Sequence, residues 1–263
     1  MTTNASRCRR ILLTGAAGGI GSAFRRYVGD RYWFRLADRV THGLADAAPQ
    51  GHDVLALDVA DLAACQEACK TIDTVIYLAA DAGPGADFYA SLLDNNIKGT
   101  YNIFRAAKDQ GCRRVIFASS AQVVAGYPRD VQAHPETPVR PVNMYGVSKC
   151  FGEAVASYFT HAEGLSSIAI RIGAYDVGRY DVNWLRRDPN AHILSTYVSE
   201  RDLNQLLVRC VEAADVQFAI VHGISDNRFK RPDLTSTRDL LGYAPQDDAF
   251  DIFADHLRDW LKD

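Results

Sequence analysis

The stretch Ile11-Leu12-Leu13-Thr14-Gly15-Ala16-Ala17-Gly18-Gly19-Ile20-Gly21 decides the fold. Its apolar start reads as a buried strand, its glycines as a tight turn, and the residues from about 20 to 28 as a helix. Glycine permits the turn, and its missing side chain lets backbone N–H groups close on a pyrophosphate. The helix N-terminus behind the turn adds unpaired donors and the positive end of its dipole. A glycine triplet alone is a weak signal. Here it gains from its strand–turn–helix setting and from Asp38, an acidic residue at the end of the next predicted strand.

Outward from this turn, short apolar runs alternate with amphipathic stretches. Strands are predicted over residues 33–37, 54–57, 74–79, 114–118, 167–172 and 218–222, and helices over 62–70, 96–110, 145–161 and 200–213. The alternation predicts an α/β fold, a Rossmann-type doubly wound parallel sheet with helices on both faces and a small C-terminal substrate-capping portion. Ligands on such sheets sit beyond the carboxyl ends of the strands, where Asp38, Asp58 and Ser120 fall. After Arg171 the pattern loosens, and residues 174–192 are polar and aromatic, as expected of a substrate-covering loop. Residues 1–173 therefore read as the dinucleotide-binding core, and 174–263 as a substrate loop and small cap interwoven with it in one structural unit.

Composition narrows the partners. The 263 residues carry a net charge of −3, which gives no electrostatic case for nucleic acid or an anionic membrane. Arg7, Arg9 and Arg10 cluster, but a short polar leader before the first strand explains them. The six cysteines are scattered; Cys65 and Cys69, the closest pair, match neither a redox CxxC nor half of a zinc site, so no metal is expected. Isolated thiols, an N-terminus without an apolar run and no stretch of membrane-spanning length point to a cytoplasmic enzyme.

A second constellation, Tyr145-Gly146-Val147-Ser148-Lys149, opens a predicted helix. Four residues make about one turn, so phenol and ammonium emerge on one face. A phenol with pKa near 10 is a poor base at neutral pH, and a neighbouring ammonium lowers that pKa by stabilising phenolate. The lysine can also hold a nicotinamide ribose. Ser120, ending the preceding strand, could hydrogen-bond the substrate oxygen whose proton the tyrosine takes. On its own such a pair is an ordinary surface contact; joined to the dinucleotide turn it reads as a proton-transfer site. Asp38 can bond both ribose hydroxyls of NAD and repel the extra phosphate of NADP, although Arg39 beside it could welcome that phosphate; NAD is favoured. Asp58 either accepts from the adenine amino group or serves as a turn or helix-cap residue, and the sequence leaves both open.

With these motifs on one chain, the sequence resembles an extended short-chain dehydrogenase/reductase of the sugar epimerase–dehydratase superfamily. The resemblance is carried by the Gly15, Gly18, Gly21 turn, Asp38, Asp58-Val59, Leu78-Ala79-Ala80, Asn96-Ile97-Lys98-Gly99, Ser119-Ser120 and the Tyr145–Lys149 pair. Arg171-Ile172-Gly173, Leu194-Ser195-Thr196-Tyr197 and Leu241-Gly242-Tyr243 are most similar to the branch of uronate dehydrogenases and archaeal NAD-dependent glucose-6-phosphate dehydrogenases. The resemblance implies Tyr145 as base, Ser120 as partner of the substrate oxygen, and Lys149 and Asn96 as cofactor and proton-relay supports. It implies cofactor contacts from Gly15, Ala17, Gly18, Gly19, Ile20, Gly21, Asp38, Arg39, Asp58, Val59, Leu78, Ala79, Ala80 and Ile172, and substrate contacts from Ala121, Gln122 and Ala174; His192 either contacts the substrate or caps a turn.

Three departures bear on the substrate. Ala121-Gln122 stands where those relatives have Asn-His, Ala174 where uronate dehydrogenases place a serine, and Asn190-Ala191-His192 where they place an arginine. The loop between carries Arg179, Arg186 and Arg187, which either bind an anionic group on a sugar or form a solvated face. Arg171 is read as a brace for the site. The leading expectation is hydride transfer to NAD from a sugar hydroxyl, the anomeric one of an aldose carrying a carboxylate, phosphate or sulfonate, giving a lactone. A nucleotide-sugar epimerase or dehydratase with retained NAD is the alternative, and a silent dinucleotide sensor comes third. The expected partners are a small sugar and a second copy of the chain, because the helix bearing Tyr145 carries more apolar surface than one sheet face covers.

Overall fold

The computed structural model describes residues 8–47, 51–175 and 193–260. Seven strands form one parallel sheet: β1 (Arg10–Thr14), β2 (Trp33–Asp38), β3 (Asp53–Ala56), β4 (Thr74–Tyr77), β5 (Arg114–Ser120), β6 (Ser166–Ile172) and β9 (Phe218–Gly223). Their spatial order is β3-β2-β1-β4-β5-β6-β9. The chain leaves β1 toward one edge, returns, and leaves again from β4 toward the other. Adjacent connections thus part between β1 and β4, and a crevice opens beyond their carboxyl ends.

The alternation of a strand's side chains sorts the core into two layers. Ile11 and Leu13 of β1 pack with Phe24 and Leu206, beneath α1 (Gly19–Val28) and α5 (Glu200–Glu212). Leu12 points the other way and packs with Cys65, Phe104 and Phe159, beneath α2 (Leu62–Cys69), α3 (Gly99–Asp109) and α4 (Met144–His161). β5 and β6 are buried along their whole length, as expected of strands covered on both faces.

Several bounds differ from the sequence reading for local reasons. β4 stops at Tyr77 because the N–H groups of Leu78 and Ala79 turn away to the Thr14 hydroxyl, at 3.2 and 3.3 Å. The helix predicted to begin at Asn96 begins at Phe88: Asp87 caps it by accepting from Ala90 N at 2.8 Å, and residues Phe88–Lys98 wind at π pitch before α3 takes over. A two-residue parallel pair, β7 (Ala174–Tyr175) with β8 (Tyr197–Val198), sits past the end of β6 and was not foreseen. The portion expected to cap the substrate also supplies β9, the seventh strand of the main sheet. Among the described residues no helix is long and apolar enough to cross a membrane, and no cluster of three metal-ligating groups occurs.

Candidate active site

The glycine turn is built so that side chains could not replace its hydrogens. Gly15 has φ +67°, and a Cβ there would stand 3.0 Å from Ala79 N. A Cβ on Gly21 would meet Gly15 O at 2.5 Å. These contacts press α1 against the turn and leave a bare backbone surface facing the crevice. No side chain caps α1, so its first amides are available to an anion. Asp38, at the tip of β2, is held against the turn by Ala17 N, which donates to its Oδ2 at 3.1 Å. Asp58 is exposed and accepts from Ala60 N through Oδ1 at 2.9 Å. The cap of α2 is Asp61.

The proton-transfer pair starts α4. Asn143 caps that helix, its Oδ1 accepting from Gly146 N at 2.7 Å while its Nδ2 donates to Gln122 Oε1 at 3.0 Å. Tyr145 and Lys149 are both buried and both line the crevice. Lys149 Nζ donates to Ala118 O at 2.8 Å, and burial holds its ammonium down to a pKa of about 7. Burial pushes the Tyr145 phenol above its ordinary value, a hydrogen bond with Ser120 opposes this, and the negative charge of Asp81 adds to it. The expected lowering of the phenol by Lys149 is thus not a property of the protein alone. The reason is charge: with its own pKa held down to about 7, Lys149 is largely neutral at the pH where a buried phenol ionises.

Asn96 is buried and braces rather than faces the crevice. Its Oδ1 accepts from Asp81 N at 2.9 Å, and its Nδ2 donates to Asp81 O and to Ser148 Oγ, each at 3.0 Å. Its carbonyl accepts from Thr100 Oγ1 at 2.5 Å. Arg171 also braces: its guanidinium donates twice to Glu153 at 2.9 Å, and Ser119 Oγ donates to the same carboxylate at 2.6 Å.

One cavity of about 670 Å³ unites the turn and the pair. Of the residues singled out by sequence, the turn glycines with Ile20, together with Asp38, Arg39, Val59, Leu78, Ala79, Ala80, Ser120, Ala121, Gln122, Tyr145, Lys149, Ile172 and Ala174, line it. Ala17, Asp58 and Asn96 do not. Arg186 and His192, with Arg179 and Arg187, lie outside the described residues. Sequence reasoning missed Thr14, Asn95, Thr196 and Arg231, which also line the cavity. Thr14 directly precedes the glycine turn and Thr196 belongs to the Leu194–Tyr197 motif, positions that could have flagged both; no local pattern marks Asn95 and Arg231.

Comparison with known proteins matches residues 11–180 to the NAD dependent epimerase/dehydratase family. A uronate dehydrogenase of Pseudomonas putida is 35% identical over 239 residues, covering 90% of this chain and 84% of the relative. An NAD-dependent glucose-6-phosphate dehydrogenase of Haloferax volcanii is 35% identical over 255 residues, covering 91% of this chain and 94% of the relative. Among solved structures, a glucuronic acid dehydrogenase from Chromohalobacter salexigens superposes with a TM-score of 0.84 at 33% identity, covering 96% of this chain and 90% of that one.

Proposed function

Because the chain belongs to the NAD dependent epimerase/dehydratase family, we propose that it is an NAD-dependent sugar dehydrogenase oxidising the anomeric hydroxyl of an aldose to a lactone. The observation that carries this reading is the single cavity lined by the glycine turn at one side and by Tyr145, Ser120 and Lys149 at the other. The residues present fit NAD. A Cβ would fill the cradle at Gly15 or Gly21, and Asp38 is anchored where a carboxylate would take ribose hydroxyls and repel a 2′-phosphate. Arg39 is directed at Asn95 Oδ1, at 3.5 Å. NAD, when bound, supplies the two-electron acceptor for the hydride released from the sugar carbon.

The chain's own residues do the rest. Ser120 orients the sugar hydroxyl. Burial holds the Tyr145 phenol protonated in the protein alone. As phenolate, a form that the positive charge of bound NAD would favour, Tyr145 would accept the hydroxyl proton while the C–O bond becomes a carbonyl. Lys149 would hold the nicotinamide ribose, and Leu78, Ala79 and Ile172 give the cavity apolar walls that exclude water. The dehydrogenase reading outranks a retained-NAD epimerase because the dehydrogenase relatives match nearly the whole chain. A silent sensor would not need Tyr145 and Lys149 buried on the cavity wall. The enzyme works in the cytoplasm, as its scattered thiols suit. Its partner is a second copy, meeting on the face where Tyr101 and Tyr158 of α3 and α4 stay exposed.

The test is NADH formation with NAD and a panel of free, uronic, phosphorylated and sulfonated aldoses. Substrate-dependent NADH that falls by about 10²- to 10⁴-fold in Tyr145→Phe supports the reading. Silence across the panel, with NAD co-purifying, would replace it by the epimerase reading.

A further inference from the structure

Arg231 lines the cavity yet takes no part in the chemistry at the anomeric carbon. It is only 8% exposed. Its backbone is held on both sides: Arg231 N donates to Ser195 O at 3.2 Å, and its carbonyl accepts from Ala133 N at 2.9 Å. Its Nη2 donates to Val124 O at 3.2 Å and Tyr127 O at 2.8 Å. Nε is buried without a hydrogen-bond partner among the described residues.

Two other arginines are buried among the described residues. Arg171 is neutralised by Glu153. Arg114 donates to Ser166 Oγ and to the carbonyls of Cys210, Ala213 and Val216. Arg231 alone among these three lines the cavity and keeps a buried donor unpaired, and no carboxylate among the described residues forms an ion pair with it. Burial, and repulsion from Arg129, pull its pKa down from the ordinary value. An arginine cannot escape such a cost by shedding its proton, so an uncompensated buried guanidinium on a cavity wall is a charge waiting for an anion.

Its position indicates which anion. Val124 closes the short 3₁₀ helix Ala121–Val124 that begins directly after Ser120. Ser120 and Arg231 line the same cavity and are linked through that short helix, so one bound sugar can meet both. We propose that Arg231 determines substrate specificity by anchoring an anionic substituent, a carboxylate, phosphate or sulfonate, on the sugar carbon remote from the anomeric centre. This rests on the sugar dehydrogenase reading above. With Nη2 committed to two carbonyls and Nε enclosed, the permanent charge of the guanidinium, rather than a two-point fork, would draw the anion. It also offers a replacement for the polar groups lost at Ala121 and Ala174.

The experiment compares the native enzyme with Arg231→Met and Arg231→Lys on glucuronate, glucose 6-phosphate, 6-sulfo-6-deoxyglucose and neutral glucose. Two readouts are taken: kcat/KM with NAD, and calorimetric binding of each sugar to the NADH-loaded enzyme. Arg231→Met is expected to lower kcat/KM for the preferred anionic sugar roughly 10- to 100-fold more than for glucose, mainly through KM. Arg231→Lys should lose less, because a point charge remains, and should bind the anion with a steeper salt dependence than Arg231→Met. The anion that suffers most identifies the source among the three. Equal losses on anionic and neutral sugars, a native preference for glucose, or no binding of any anionic sugar would overturn the proposal. If Arg231→Met does not fold, Arg231→Lys decides: a loss confined to anionic sugars supports the anchor, and none, or an equal loss on glucose, refutes it. Absence of turnover with every sugar while anionic binding still depends on Arg231 would sink the dehydrogenase reading and leave the anion site standing.

Discussion

Asp38 links cofactor choice to cradle geometry. Its carboxylate accepts from Ala17 N at 3.1 Å, so the group expected to meet the ribose is already oriented by the turn that would hold the phosphates. Asp38→Ser is expected to raise KM for NAD by roughly tenfold or more, the cost of losing a charged hydrogen-bond acceptor, and to move preference toward NADP as repulsion disappears and Arg39 stays nearby. Steady-state kinetics with both dinucleotides check this, and an unchanged NAD-to-NADP ratio would show that selectivity lies elsewhere. At this scale the sequence was most legible where chemistry demands fixed local spacing. The glycines of the turn, and Tyr145 with Lys149 one helical turn on, can be read without knowing the fold. Arg231 could not, because its meaning depends on a carbonyl pair, Val124 and Tyr127, that only tertiary structure brings to it. Asn96 was flagged by motif, but its bracing of Asp81 and Ser148 is likewise a three-dimensional fact.

Between elements, the site depends on a buried clamp. Glu153 of α4 receives two hydrogen bonds from Arg171 of β6 and one from Ser119 of β5, and the ion pair is almost wholly enclosed. The clamp fixes the helix carrying Tyr145 against the strand ending in Ser120. Glu153→Ala is expected to cost about 3–5 kcal/mol, since it strands a buried guanidinium, whereas Glu153→Met with Arg171→Met should recover much of that loss. Urea unfolding of the three proteins decides it; a double variant no more stable than the single would mean that the pair stabilises the fold outright. Long, strongly patterned elements such as β5, β6 and α4 were readable from periodicity. The π-wound start at Phe88 was not, because a winding of that pitch breaks the spacing by which a helix is recognised. The β7–β8 pair, two residues a side, is too short to carry any period.

Across the molecule, alternating strands and helices implied a parallel sheet, but strand order and the place of β9 emerge only from packing. That placement has a mechanical consequence. β9 hydrogen-bonds along β6 from Phe218 to Gly223, and Arg114 of β5 reaches the carbonyls of Cys210, Ala213 and Val216. Beside them, Tyr32 donates to Glu212 Oε1 at 2.6 Å, and α5 shares one apolar layer with α1. The downstream third of the chain is therefore tied to the strands that carry the glycine turn, rather than resting on them. Thermal unfolding should be a single transition, and a ligand of the cradle should shift all of it. NADH at a hundred times its Kd would add about 2.7 kcal/mol, roughly 5–10 °C in Tm for a chain of this size. Scanning calorimetry with and without NADH tests this. Two transitions, of which NADH moved only one, would mean that residues beyond β6 unfold on their own and that Arg114 does not couple the two parts.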